Sequence, residues 1–124
     1  MNLLFKSIPC PIETVSEANK HEHWTVSAKR HKQQKTLSKV YFNKLSAFKD
    51  KMIVVKLIRV SPRKLDKDEN LPMAFKWVKD AIADLIYPGQ QAGRADDTDL
   101  IKWEYAQEKG LPKAKPMMRI EVYG

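Results

Sequence analysis

Met52-Ile53-Val54-Val55-Lys56-Leu57-Ile58-Arg59-Val60 is the stretch on which the fold turns. It is β-branched and apolar almost throughout and is closed by Ser61-Pro62, so it reads as a strand. Downstream, Leu71, Ala74, Phe75, Val78, Ala81, Ile82 and Leu85 recur at the i, i+3, i+4, i+7 spacing of a helix running from about Leu71 to Ile86. Asn70 is suited to capping that helix, Pro72 is tolerated in its first turn, and Tyr87-Pro88-Gly89 ends it.

Outward from this strand–helix unit, Asn2 to Ile8 reads as a first strand stopped by Pro9-Cys10-Pro11, with irregular chain over 12–26. Ser27 to about Phe48 reads as a helix with Leu37, Tyr41, Leu45 and Phe48 on one stripe and Lys29, Arg30, Lys32, Lys35 and Lys39 opposite. Leu100–Gln107 and Met117–Tyr123 alternate as strands and are expected to pair as a hairpin across a Lys-rich loop. The order β-α-β-α-β-β predicts an α+β two-layer sandwich with one mixed sheet and helices packed on a face. At 124 residues, with 43% hydrophobic content, the chain is expected to form a single domain over 1–124.

Composition narrows function. The net charge is +8, favouring a polyanionic partner, nucleic acid first. The single cysteine, Cys10, excludes an internal disulfide and a Cys-based zinc site, and its Pro-flanked setting predicts a buried structural thiol. No apolar run approaches the ~20 residues of a membrane span, and Met1–Ile8 is too short for a signal peptide, so a soluble intracellular protein is expected, with no membrane and no organic cofactor.

Against that basic background stand two acidic clusters, Asp66-Lys67-Asp68-Glu69 and Asp96-Asp97-Thr98-Asp99. Gathered carboxylates repel one another and call for a cation. Asp66 and Asp68 share a face of an extended segment just before a helix start, where the dipole favours ionised carboxylates. If the strand after Asp99 neighbours that helix start, at least three carboxylates converge, and an all-oxygen set suits Mg²⁺ or Mn²⁺. The alternative is a capping Asp68 and a solvated turn at 96–99. His21 and His23 lack the spaced partners of a zinc site. Lys76 either reaches the metal site as an electrostatic stabiliser or pairs with Asp80 at i+4. Lys20, Lys29, Arg30, Lys32 and Lys35 suit phosphate contacts, as do Lys109, Lys113 and Lys115 in the second basic loop. Trp24 either stacks on an exposed base or packs against the core, and the core is the stronger expectation.

The runs Arg63-Lys64-Leu65-Asp66-Lys67-Asp68-Glu69-Asn70-Leu71, Ala74-Phe75-Lys76 and Gly93-Arg94-Ala95-Asp96-Asp97-Thr98-Asp99, with Trp103-Glu104-Tyr105, resemble the RusA family of Holliday junction resolvases, phage-type members in particular. The likeness extends from about residue 16 to 123. It implies a homodimer that binds a four-way DNA junction and nicks two strands symmetrically, with Mg²⁺ or Mn²⁺ held by Asp66, Asp68 and Asp97. Asp96 is the adjacent candidate and Lys76 the catalytic lysine. Two departures are visible: Glu69 intervenes between Asp68 and Asn70 and is itself a possible ligand, and Met73 stands where shorter members carry the lysine. The rival class is a non-catalytic binder of branched or single-stranded DNA. The resemblance also implies a cytoplasmic setting in a bacterial or phage-infected cell.

Overall fold

A computed structural model of the chain describes residues 1–16, 22–67, 70–89 and 99–124. Four strands, β1 (Leu3–Lys6), β2 (Ile53–Ser61), β3 (Ile101–Lys109) and β4 (Met117–Tyr123), form one mixed sheet in the order β1-β4-β2-β3. The helices are α1 (Trp24–Tyr41), α2 (Asn70–Ala74) and α3 (Lys76–Ile86), with a 3₁₀ helix at Asn43–Phe48. The protein is thus α+β, as its element order predicts. Among the described residues no helix is long and apolar enough to cross a membrane.

β2 takes the centre because it is apolar on both sides. Ile53, Val55 and Leu57 face the helices, while Val54 and Ile58, on the opposite side, are also buried. β2 and β3 run parallel in the register Val55↔Trp103 and Leu57↔Tyr105, with α2 and α3 as the crossover. β4 lies antiparallel on the other side, with Val55↔Val122 and Leu57↔Ile120.

The expected hairpin of the last two strands is therefore overturned, since β2 separates β3 from β4. The connection after Lys109 passes the end of β2, where Gly110 N donates to Ser61 O at 3.0 Å. A Cβ on Gly110 would stand 3.2 Å from the Ser61 backbone, tighter than a side chain tolerates without a shift.

The core lies between this sheet and α3, where Phe75, Val78, Ile82 and Ile86 meet Val55, Leu57, Ile120 and Val122. The helix expected over 71–86 is broken at Phe75, which lies outside regular helical geometry at φ −105° and ψ 2°. The break leaves the fully buried Phe75 in the core and begins α3 at Lys76.

The long helix expected over 27–48 is also corrected. α1 ends at Tyr41, and the 3₁₀ helix that follows buries Leu45 behind the fully buried Phe42. Tyr41 is left exposed, and α1 instead buries Arg30, Gln34 and Ser38. This polar inner face rests on chain the sequence reads as irregular. Gln34 Nε2 donates to Glu13 O at 2.5 Å, and Ile12 and Thr14 are fully buried.

Candidate metal and nucleic-acid site

The chain that leaves β2 is held at Arg63, at Leu65 and at Asp66. Arg59, buried in the inward register of β2, donates from Nε to Thr14 O and from Nη1 to Arg63 O, both at 2.7 Å. Burial lowers its basicity from the ordinary guanidinium value. Beyond Arg63, the Gln107 side chain on β3 grips Leu65: Oε1 accepts from Leu65 N and Nε2 donates to Leu65 O, each at 2.8 Å. β3 is an edge strand, so this amide acts as one rung of pairing for a segment that is not a strand.

Asp66 comes next and is exposed. Its carboxylate accepts from the Asn70 side-chain amide and, at 3.4 Å, from Asn70 N; its carbonyl accepts from Leu71 N at 3.0 Å. Ser16 Oγ in turn donates to Asn70 Oδ1 at 2.6 Å. Asp66 therefore sits at the start of α2 with an oriented carboxylate, where negative charge is favoured. It borders a cavity of about 490 Å³ lined by Lys64, Leu65, Lys67, Leu71 and Tyr105. A carboxylate between lysines, in an open and partly apolar recess, has the chemistry to share a cation with a phosphate.

Asp68, Asp96 and Asp97, with Glu69, Lys20 and His21, lie outside the described residues. Among the described residues no group of three His, Cys, Asp or Glu gathers. The flanks of the two clusters are placed, however. β3 does neighbour the start of α2, but through its C-terminal half, at Gln107. Asp99 precedes the other end, where Leu100 O accepts from Ile53 N at 2.9 Å. Ile101 to Gln107 is roughly 20 Å of extended strand, so within one chain Asp66 and Asp99 stand at opposite ends of β3.

Lys76 is exposed, with Nζ 4.9 Å from the Trp77 ring centroid; Lys35 Nζ from α1 stands at the same distance from that ring. Lys29, Lys32, Lys35, Lys109, Lys113 and Lys115 are all exposed. Arg30 is not a surface cation: it is buried and grips Glu22, with Nη1 to Oε1 at 2.6 Å and Nη2 to Oε2 at 3.0 Å. Its position in the basic run is deceptive because it falls on the inner face of α1. Trp24 departs from expectation in the opposite sense. It is 72% exposed at the N-terminus of α1, beside His23, whose Nδ1 caps the helix by accepting from Thr25 N.

Arg59 lies in no motif, and Gln107, although it falls within the run Trp103 to Lys109 that carries the resemblance, has no role assigned from the sequence. The one signal was Arg59's phase, a charged residue in step with Ile53, Val55 and Leu57. No protein-family model, curated protein or solved structure matches the chain.

Proposed function

We propose that this protein is a metal-dependent, structure-specific endonuclease of the kind the RusA-like motifs imply, resolving four-way DNA junctions as a homodimer by paired symmetric nicks. The observation that carries the reading is Asp66, an exposed carboxylate oriented by Asn70 at the mouth of a cavity flanked by Lys64 and Lys67. Asp66, Asp68 and Asp97, with Asp96 adjacent, would hold Mg²⁺ or Mn²⁺, which supplies an activated water and neutralises a phosphoryl oxygen. Asn70 fixes the Asp66 carboxylate at the border of the cavity, and Gln107 keeps the backbone before it in place. Lys76 contributes positive charge on the substrate side, and the exposed lysines of α1 and of the 109–115 loop grip phosphates, with Trp24 free to stack on an unpaired base.

A labelled four-way junction incubated with Mn²⁺ tests this. Wild type should nick it, while Asp66→Asn and Asp97→Asn should each lose at least about 100-fold in rate and keep junction affinity. Equal cutting by all three would defeat the metal assignment.

One observation favours the second reading, a non-catalytic DNA binder. Asp66 also organises the start of α2 through its bonds with Asn70 and Leu71, a structural task sufficient to explain it. That reading expects affinity falling steeply with salt and no cleavage with either metal.

A further inference from the structure

α1 and α3 bring together side chains that are distant in sequence. The Nζ atoms of Lys35 and Lys76 each lie 4.9 Å from the centre of the Trp77 ring, so they are within about 10 Å of each other. His31 packs on the same indole, ring centroids 4.2 Å apart and tilted by 30°. Beside them opens a surface groove of about 400 Å³ lined by His31, Lys32, Lys35, Thr36 and Lys39.

Charge is compensated unevenly here. Lys39 is taken by Asp84 at 2.6 Å, and Arg30 by Glu22. Lys32, Lys35 and Lys76 form no salt bridge among the described residues. Fixing a free lysine costs rotamer entropy, part of which is already given up when its ammonium rests on an indole face. The Trp77 ring thus pre-orders two cations from different helices.

Resting on the DNA-binding reading above, we propose that Lys35 and Lys76, held by Trp77, clamp a single backbone phosphate of the bound DNA, with Lys32 and Thr36 lining its approach. By moving together over the ring, the two nitrogens, at most about 10 Å apart, close on one phosphate. Two of its oxygens, roughly 2.5 Å apart and each accepting a bond of about 2.8 Å, span up to about 8 Å between nitrogens, within the reach of two flexible side chains.

Junction affinity measured against salt without divalent metal, for wild type, Lys35→Gln, Lys76→Gln and the double variant, tests the clamp. Each single variant should weaken binding several-fold. The double should flatten the log–log salt slope by about 0.9, the value of one phosphate. A loss near 1.8, meaning two separate phosphates, or an unchanged slope in the double variant would overturn the clamp while leaving DNA binding intact. A wild-type protein that binds no junction at low salt would overturn the clamp and the proposed function together. Trp77→Leu should weaken affinity at unchanged slope and Trp77→Phe should recover most of it; equal affinity of both with wild type would remove the ring from the clamp.

Discussion

The Gln107 amide closes on both backbone groups of Leu65, accepting from its N–H and donating to its carbonyl at 2.8 Å each. Through this pair of bonds the edge strand β3 dictates where the chain stands one residue before Asp66. Replacing Gln107 with Leu leaves two part-buried backbone groups without their partner, a cost of about 1–3 kcal/mol. Urea unfolding should show that loss, and the Leu65 amide should exchange hydrogen markedly faster in the variant. Unchanged protection at Leu65 would show that other contacts hold the segment.

The separation of Asp66 from Asp99 along one chain predicts complementation between subunits. If the two acidic clusters meet across a homodimer, Asp66→Asn and Asp97→Asn proteins, each inactive alone, should recover nicking when unfolded together and refolded as a mixture. A mixed dimer would then hold one site with both substitutions and one with neither. Continued inactivity of the mixture would place each site within a single chain.

The sheet face opposite the helices carries a charge network whose pH response has a definite sign. Arg119 donates to Glu108 through Nε at 2.9 Å and to Glu121 through Nη1 at 2.5 Å, and the Tyr123 hydroxyl donates to Glu121. The Arg119 hydrogen bond holds Glu108 below the usual carboxylate value; Glu121 is lowered first by Tyr123 and then by Arg119. Depressed carboxylates add stability above the ordinary glutamate pKa of about 4.3 and lose it as pH falls through their folded values. Wild type should therefore melt higher than Arg119→Gln at pH 7, with the gap narrowing as pH falls below the ordinary glutamate value of about 4.3. A gap that does not narrow with falling pH would mean that Arg119 acts by packing alone. At the alkaline end, the Glu121 bond raises Tyr123, whose contribution fades only as pH climbs past the ordinary tyrosine value of about 10.

Cys10 is 2% exposed, its thiol donates to Ile8 O at 3.2 Å, and burial pushes its pKa up. Less thiolate and less access act in the same direction. An aromatic disulfide reagent at pH 8 should label native protein far more slowly than protein in denaturant. Prompt labelling of the native state would show that the Cys10–Met118 bridge opens readily.

Local pattern carried much of the fold. The apolar run over 52–60 is legible because both of its faces are buried, and the stripe from Leu71 to Ile86 because it turns apolar residues to the core; both form regular structure near the expected places. The end of α1 was misread because Tyr41, Leu45 and Phe48 keep helical spacing across the turn at Phe42, whereas the face that α1 buries is polar. Alternation in β3 and β4 marked two strands without saying which neighbour each would take, since periodicity reports a buried face and says nothing about pairing.

Of the candidate site, the residues themselves showed the acidic motif, the helix start at Asn70 and the excess of cations. Side-chain chemistry alone leads to the expectation of an anionic partner and a hard metal. The tertiary structure decided what those residues touch: Arg30 turns inward to Glu22, Trp24 outward to solvent, Lys76 onto Trp77 beside Lys35, and Gln107 onto Leu65. Each depends on how helices and strands far apart in the chain are stacked and registered, and no local spacing encodes that.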